Sequence, residues 1–569
     1  MTYTLDKIKA DIKAGVVKAL GQDFDLDNLE ITRPPEATMG DLSVPCFYLS
    51  KLTRLSPNQI AQELKDKIKI KPPLKSVQNL GPYLNFYLDE KYLAEKVIKE
   101  VHKTGDKYGM SVGNKEKAMI EYSQPNTHKE FHVGHLRNAV LGSALVNLQR
   151  FVGQKTIAAN YIGDIGSHVA KCLWIYDKFH KDEPEPVEHK GQYLGKLYTE
   201  AVNLCEDNEE YKKEAAEVQQ KLESGDKYFT NLWKKTRKWS LAEFDAIYKI
   251  LGVKFDKVFY ESEVEKPGKK IVEDLLAQGI AQKSEGAVII DLDKYGLKQF
   301  LLLKSDGSSL YSTKELALAK LKFEKYKIDA SYIVVDARQG FYFKQFFKTL
   351  ELMGFHKKTA HLSYEFVTLP EGAMSSRKGN VVLFEDFLKE ATDLALAETA
   401  KRHEDWSPEE LSAAATKIAL AAIKFAMLKT GRNNVITFDI KEAMAFDGFT
   451  GPYLQYTVTR INSILRKENS KSLAEADFGK LTHPKEKELA LALAELPGAV
   501  KEAAQTFEPS HLAKYLFDLS KLFSSYYQEV PILNAETKTK EARLALIVAV
   551  RQTLYNGLKI LGLETLERM

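Results

Sequence analysis

The stretch SQPNTHKEFHVGHLRNAV, residues 123–140, sets two histidines three apart, His132 and His135, around Gly134. A Pro-Asn turn precedes them and an apolar run of helical period follows, so the pair falls where a strand hands over to a helix. A helix beginning near His132 aims free backbone N–H groups and the positive end of its dipole outward, which suits phosphate. Residues at i and i+3 share a helix face, so both imidazoles can donate hydrogen bonds to phosphoryl oxygens as charge moves during attack. Gly134 removes a side chain where a flat base or a sugar would press on the backbone. Alone, a His-x-x-His pair is more often two ordinary surface histidines; the strand, the Pro-Asn loop and Gly134 together favour the chemical reading. A second segment, EGAMSSRKGNVV at residues 371–382, is a Ser/Gly/basic loop between the strand LSYEFVTL and the helix FEDFLKEATDLA. Such a loop is most often merely solvated, but at the end of a later strand of the same sheet it would reach the same crevice.

The elements that must position these residues can be read from periodicity. AMIEYS is a short apolar strand, VGHLRNAVLGSALVNLQRFVG a helix, TIAANYIG a second strand and DIGSHVAKCLWIYDKF a second helix. This alternation predicts an α/β fold with a doubly wound parallel sheet, which gathers ligands at the carboxyl ends of its strands. Residues 181–250 interrupt it as a charged, largely helical insertion. GAVIIDL and KQFLLLKSDGSSLYS then read as strands, and ASYIVVDARQG as a buried strand running into the helix FYFKQFFKTLELMG. The flanks differ. Residues 1–110 form a small α+β domain, 111–406 the sheet-bearing unit, and 407–569 only amphipathic helices, hence an all-α bundle.

A chain of 569 residues is too long for one core. With 44% hydrophobic and 28% charged residues it has an ordinary globular composition, and no apolar run reads as long enough to cross a bilayer. Asp6, Lys7 and Asp11 break up any secretory h-region in the amphipathic opening helix. Cys46, Cys172 and Cys205 form no CxxC pair, so neither zinc nor a disulfide framework is expected and a reducing cytoplasm fits. Subtracting 78 acidic from 82 basic residues leaves +4, which neither demands nor excludes nucleic acid.

HVGH resembles the HIGH motif of class I aminoacyl-tRNA synthetases, and AMSSR stands where that class carries KMSKS. The flanking text is narrower: EYSQPNTHKEFHVGHLRNAVLG, NYIGDIG, LGVKFDKVFYES, KSDGSSLYSTKELA, VVDARQG and DGFTGPYLQYTVTRINSILRK resemble arginyl-tRNA synthetases of bacterial type. GDLSVPC and GPYLNFYL resemble that family's added first domain, and ERM its usual ending. The resemblance implies a class I Rossmann-like catalytic domain, a tRNA-contacting first domain and an anticodon-binding bundle. The implied reaction joins L-arginine and ATP, with Mg2+, to arginyl-adenylate and passes the arginyl group to tRNA(Arg).

Carried over to matching positions, the resemblance assigns His132, Gly134 and His135 to ATP, together with Met374, Ser375, Ser376, Arg377 and Lys378 of the loop. A guanidinium wants carboxylates that accept paired hydrogen bonds. Glu261 and Glu315 take that role, with the Tyr311 hydroxyl alongside. Asn126 and Gln339 are assigned to the α-ammonium, and Glu121 to orienting Asn126 or the amino acid. Singly each has a bland reading: Glu315 begins a helix, Tyr311 suits a core and Asn126 suits a turn. The loop departs from KMSKS, with Ala373 and Ser376 where lysines are usual. In this family a lysine just before the HIGH motif takes over, and Lys129 stands there. GDIG followed by SHVA also drifts from the family's usual aromatic version.

In the tail, Tyr453, Tyr456 and Arg460 lie on one side of a helix and are assigned to tRNA, while Tyr526 and Tyr527 mark another. The insertion is too small and too helical to be a hydrolytic editing domain. A monomer is expected, since nothing in the sequence marks a dimer surface. Three rivals remain: a cysteinyl synthetase, which needs zinc-ligand cysteines; a nucleotidylyltransferase, which lacks the bundle; and a non-catalytic tRNA-binding relative, which need not keep His132, Gly134, His135, Asn126 and Gln339.

Overall fold

The chain opens with α1 (Thr4–Leu20), β1 (Leu42–Pro45), α2 (Phe47–Thr53), α3 (Pro57–Lys67), β2 (Leu74–Leu80), β3 (Tyr83–Leu88) and α4 (Glu90–Thr104). These come from a computed structural model that describes residues 2–21, 24–26, 28–113, 116–370, 382–468 and 475–569. The three strands pair antiparallel in the order β1-β3-β2. Ser56 and Gln59 exchange side-chain and backbone hydrogen bonds to start α3, with Pro57 at its first position.

The sheet expected from the alternation follows. Its strands are β4 (Lys117–Glu121), which leads to α5 (Val133–Phe151), and β5 (Lys155–Ile162), which leads to α6 (Ser167–Ile175). After α7 (Lys190–Asp207), α8 (Glu209–Ser224) and α9 (Lys227–Leu251) come β6 (Lys257–Tyr260) and α10 (Glu261–Ala277). Three strands, β7 (Gln282–Ser284), β8 (Ala287–Asp291) and β9 (Gln299–Leu303), precede α11 (Tyr311–Tyr326), β10 (Ala330–Asp336), α12 (Gly340–Leu352), β11 (Lys358–Tyr364) and β12 (Val367–Thr368). The main sheet is parallel throughout, in the order β11-β10-β4-β5-β6. Strand order reverses between β4 and β10, so the crevice of this doubly wound sheet opens at the ends of those two strands.

Two stretches depart from the simplest reading. GAVIIDL and KQFLLL do not extend the parallel sheet; with β7 they form a separate antiparallel one. β9 buries only alternate residues, which suits a sheet with one wet face rather than a doubly covered strand. LSYEFVTL breaks into β11 and β12, and β12 pairs with a strand far along the chain, β13 (Ile436–Thr437).

After α13 (Phe384–Arg402), the helical tail comprises α14 (Pro408–Leu428), α15 (Ile440–Ala443), α16 (Gly451–Arg466), α17 (Pro484–Thr506), α18 (Pro509–Glu529) and α19 (Thr537–Ile560). One expectation is corrected here: α14 is long and apolar enough to cross a membrane. It is instead a central helix of the bundle, with Ile418, Ala422, Phe425 and Leu428 buried and Lys424 Nζ donating to the Gly562 carbonyl at 2.8 Å. The three cysteines are free and buried.

Candidate active site

His132 is the residue that caps α5, directly after the β4 loop. Its Nδ1 accepts from the Gly134 N–H at 3.0 Å, and its own N–H donates to His135 Nδ1 at 3.4 Å. The two rings stack with centroids 3.9 Å apart and planes 22° from parallel. With each Nδ1 accepting, a neutral ring carries its proton on Nε2 and can donate it outward. Burial, then the nearby Lys129 ammonium, pushes His132 down to about 4. Burial, His132 and Lys129 in that order hold His135 well below the usual histidine range. Both imidazoles are therefore neutral donors near pH 7.

The segment that leaves residues 371–381 runs beside this pair. Val133 N–H donates to the Val382 carbonyl at 3.3 Å, and Phe384 N–H to the Phe131 carbonyl at 3.1 Å. Met374, Ser375, Ser376, Arg377 and Lys378 themselves lie outside the described residues.

Around the same carboxyl ends of the strands is a cavity of about 340 Å³. Its wall includes all six residues assigned to arginine from the sequence: Glu121, Asn126, Glu261, Tyr311, Glu315 and Gln339. Glu121 ends β4, Glu261 begins α10 after β6, and Gln339 follows β10, so the parallel sheet itself brings them together. Tyr311 and Glu315 sit one turn apart at the start of α11, with Tyr311 50% exposed rather than in a core. The start of α10 is fixed by buried Asp164, which accepts from Ser262 N–H at 2.9 Å, Ser262 Oγ at 2.7 Å and Arg237 Nε at 2.8 Å. Asn126 bridges to Gly163, and a Cβ at 163 would lie 2.0 Å from Asn126 Oδ1, so only glycine leaves that amide its place.

The three carboxyl groups differ in their partners. Glu121 is ion-paired with buried Lys322, and Glu261 with buried Lys314. Glu315 has no ion pair among the described residues and accepts one hydrogen bond, from Tyr342 Oη at 2.8 Å. Burial lifts its carboxyl to about 8, against the lowering effect of the Tyr342 hydrogen bond; Glu121 and Glu261 add to the rise and Lys322 opposes it. The buried Tyr161 hydroxyl, also in the cavity wall, has no hydrogen-bond partner among the described residues. A cavity offering an uncompensated acid and an unsatisfied phenol is suited to a polar cation.

Sequence reasoning missed Tyr161, Tyr342, Lys314 and Lys322. Lys314 and Lys322 look like solvated helix residues in YSTKELALAKLK; only the packing of α11 under the sheet buries them. Tyr342 lies in the quoted helix FYFKQFFKTLELMG, where aromatic residues at helical spacing look like core.

In the bundle, Arg460 Nη2 donates to Tyr456 Oη at 2.6 Å, and its guanidinium lies 4.6 Å from the Tyr456 ring centroid and 5.3 Å from that of Tyr527. Arg460 and Tyr527 line an open cavity of about 390 Å³ with Ser463, Lys467 and Asn534. Tyr453 instead turns toward α18, with its hydroxyl 3.1 Å from Ser524 Oγ. Tyr526 is buried against Glu486, whereas Tyr527 is 41% exposed.

Comparison with known proteins covers almost the whole chain. Residues 6–88 match the family described as arginyl tRNA synthetase N terminal domain, 97–440 the class I (R) tRNA synthetase catalytic domain, and 454–569 the DALR anticodon binding domain. An arginine–tRNA ligase of Bdellovibrio bacteriovorus is 40% identical over 550 residues, covering 95% of this chain and 94% of its own. One from Clostridium perfringens is 39% identical over 556 residues, covering 96% and 97%. Among solved structures, Thermus thermophilus arginyl-tRNA synthetase superposes with a TM-score of 0.82 at 28% identity, over 98% of this chain and 100% of that one. Sharing its first domain, catalytic sheet and anticodon-binding bundle with these enzymes over nearly its full length, the chain belongs to the arginyl-tRNA synthetase family and ligates arginine to tRNA.

Proposed function

We propose that arginine enters the cavity with its guanidinium on Glu315 and Glu261, the Tyr311 hydroxyl beside it, and its α-ammonium between Asn126 and Gln339. Glu121, which accepts from Gln124 Nε2 at 2.8 Å, orients the loop that carries Asn126. The observation that best supports this is the state of Glu315: a carboxyl raised by burial, with a phenol but no internal cation, is completed by a ligand that brings a fixed positive charge.

ATP, arriving as its magnesium complex, lies along the start of α5. Gly134 leaves room for the nucleotide, and the Nε2–H groups of His132 and His135 donate to the phosphates. The arginine carboxylate attacks the α-phosphorus, and the bond to the leaving pyrophosphate breaks. Lys129 offsets the charge that builds on that leaving group, while Met374, Ser375, Ser376, Arg377 and Lys378 contribute to holding ATP. A hydroxyl of the terminal tRNA adenosine then takes the arginyl group and AMP leaves. No covalent enzyme intermediate is needed. Tyr453, Tyr456 and Arg460 contribute to the anticodon surface of the bundle, and the first domain contacts the outer corner of the tRNA. All of these groups come from one chain, which acts as a monomer in the cytoplasm.

The test is arginine-dependent ATP–pyrophosphate exchange, with and without tRNA(Arg). Lys129→Ala slows exchange far more than Lys378→Ala. The reverse order would make the loop the cation donor.

A further inference from the structure

The helical insertion grips three consecutive residues just upstream of the histidine pair. His128 is fully buried with a left-handed backbone, φ +63°, a conformation that must be held from outside. α9 holds it: Ser240 Oγ accepts from the His128 N–H at 2.9 Å, and Thr236 Oγ1 lies 2.8 Å from its Nε2. Glu130 packs on α7 where a Cβ at Gly195 would come within 2.1 Å of Glu130 Cγ. Between them, Lys129 Nζ stands 4.7 Å from the ring centroid of Tyr198, also on α7. Among the described residues Lys129 has no carboxylate partner, so this ring face is the one attraction that fixes its ammonium. Tyr198 is half-buried and close enough to Tyr311, a residue of the arginine cavity wall, to act on it electrostatically.

We infer that the insertion is a jig for Lys129, and that Tyr198 is a positioning residue whose ring face aims the Lys129 ammonium at the departing pyrophosphate. A lysine on a loop has four rotatable bonds, and a catalytic cation must be in place before charge develops. A cation–π seat preorganises the ammonium without neutralising it, as a carboxylate would. Ser240 and Thr236 fix the backbone from one side, Gly195 admits Glu130 from the other, and Tyr198 sets the side chain. This rests on the assignment of Lys129 to the leaving group.

The experiment is a double-mutant cycle on the full-length enzyme, read by pyrophosphate exchange in the presence of tRNA and arginine. Tyr198→Leu lowers the exchange rate about 5- to 30-fold, the range a partly desolvated cation–π contact supports, and Tyr198→Phe, which keeps the ring face, recovers most of that loss. In a Lys129→Ala background, Tyr198→Leu costs little more. Equal losses in the two backgrounds, or a Phe variant as slow as Leu, would overturn the positioning role while leaving Lys129 in its own. A Lys129→Ala enzyme as fast as wild type would remove both.

Discussion

Arginine binding should release a proton, because Glu315 must be ionised to meet the guanidinium and its carboxyl is held up to about 8 in the free enzyme. The sign follows directly. Below that value most of the enzyme carries a protonated Glu315, and only the ionised fraction offers the full charge pair. At pH 7 that fraction is roughly 10%, so the apparent Kd is about tenfold weaker than on the alkaline plateau, or about 1.4 kcal/mol. It weakens about tenfold more for each further pH unit, until the value in the complex is reached. Arginine's guanidinium stays charged throughout, so the slope belongs to the enzyme. Glu261 is also raised by burial but has Lys314 beside it, which makes Glu315→Gln the decisive control. That variant loses one partner of a buried charge pair, worth ~2–5 kcal/mol on the plateau, and the deficit shrinks at pH 7, where the wild type is already mostly protonated. Calorimetric titration of arginine from pH 6 to 8.5, in two buffers of different ionisation enthalpy, reads both affinity and proton release. A Kd flat across that range, or a slope that survives in Glu315→Gln, would refute the reasoning.

Tyr342→Phe removes the hydrogen bond that favours the ionised form of Glu315, so the inflection moves above 8 and the Kd at pH 7 weakens by a further ~10-fold, measured by the same titration. Gly163→Ala drives a methyl into Asn126 and raises the KM for arginine by roughly 10-fold or more while that for ATP holds, as steady-state kinetics on both substrates will read. Arg460→Ala weakens tRNA binding and lowers the slope of log Kd against log salt by about 1, measured by filter binding across a salt series.

What could be read in advance divides along physical lines. Strand–helix alternation carries the parallel sheet, because its central strands β4, β5 and β10 are largely buried and read as apolar runs. Position at strand ends then gathers Glu121, Asn126, Glu261 and Gln339, since a parallel sheet points every carboxyl end the same way. Partnership was not legible. Glu261 meets Lys314 across 53 residues, and Glu121 meets Lys322 from another element, so nothing local separates these paired acids from the solitary Glu315. Periodicity also could not tell Tyr526 from its neighbour Tyr527, since a single residue step of about 100° sends one into the core and the other to the surface. The length of the apolar α14 is hidden for a related reason: a lysine within it reads as solvated, yet Lys424 is satisfied inside the bundle by a carbonyl from beyond the last helix.

α4 belongs to the first domain by sequence, yet it packs on α17 and α19 at the other end of the chain. Tyr108 Oη donates to the Leu493 carbonyl at 2.9 Å, His102 Nε2 lies 2.9 Å from the Ala545 carbonyl, and Asn556 Nδ2 donates to the carbonyls of Gly105 and Tyr108, both at 3.0 Å. During synthesis the opening portion therefore leaves the ribosome with a greasy flank whose cover is several hundred codons away. It stays unfinished until translation is almost over, and a message cut short before α17 leaves that flank without its cover.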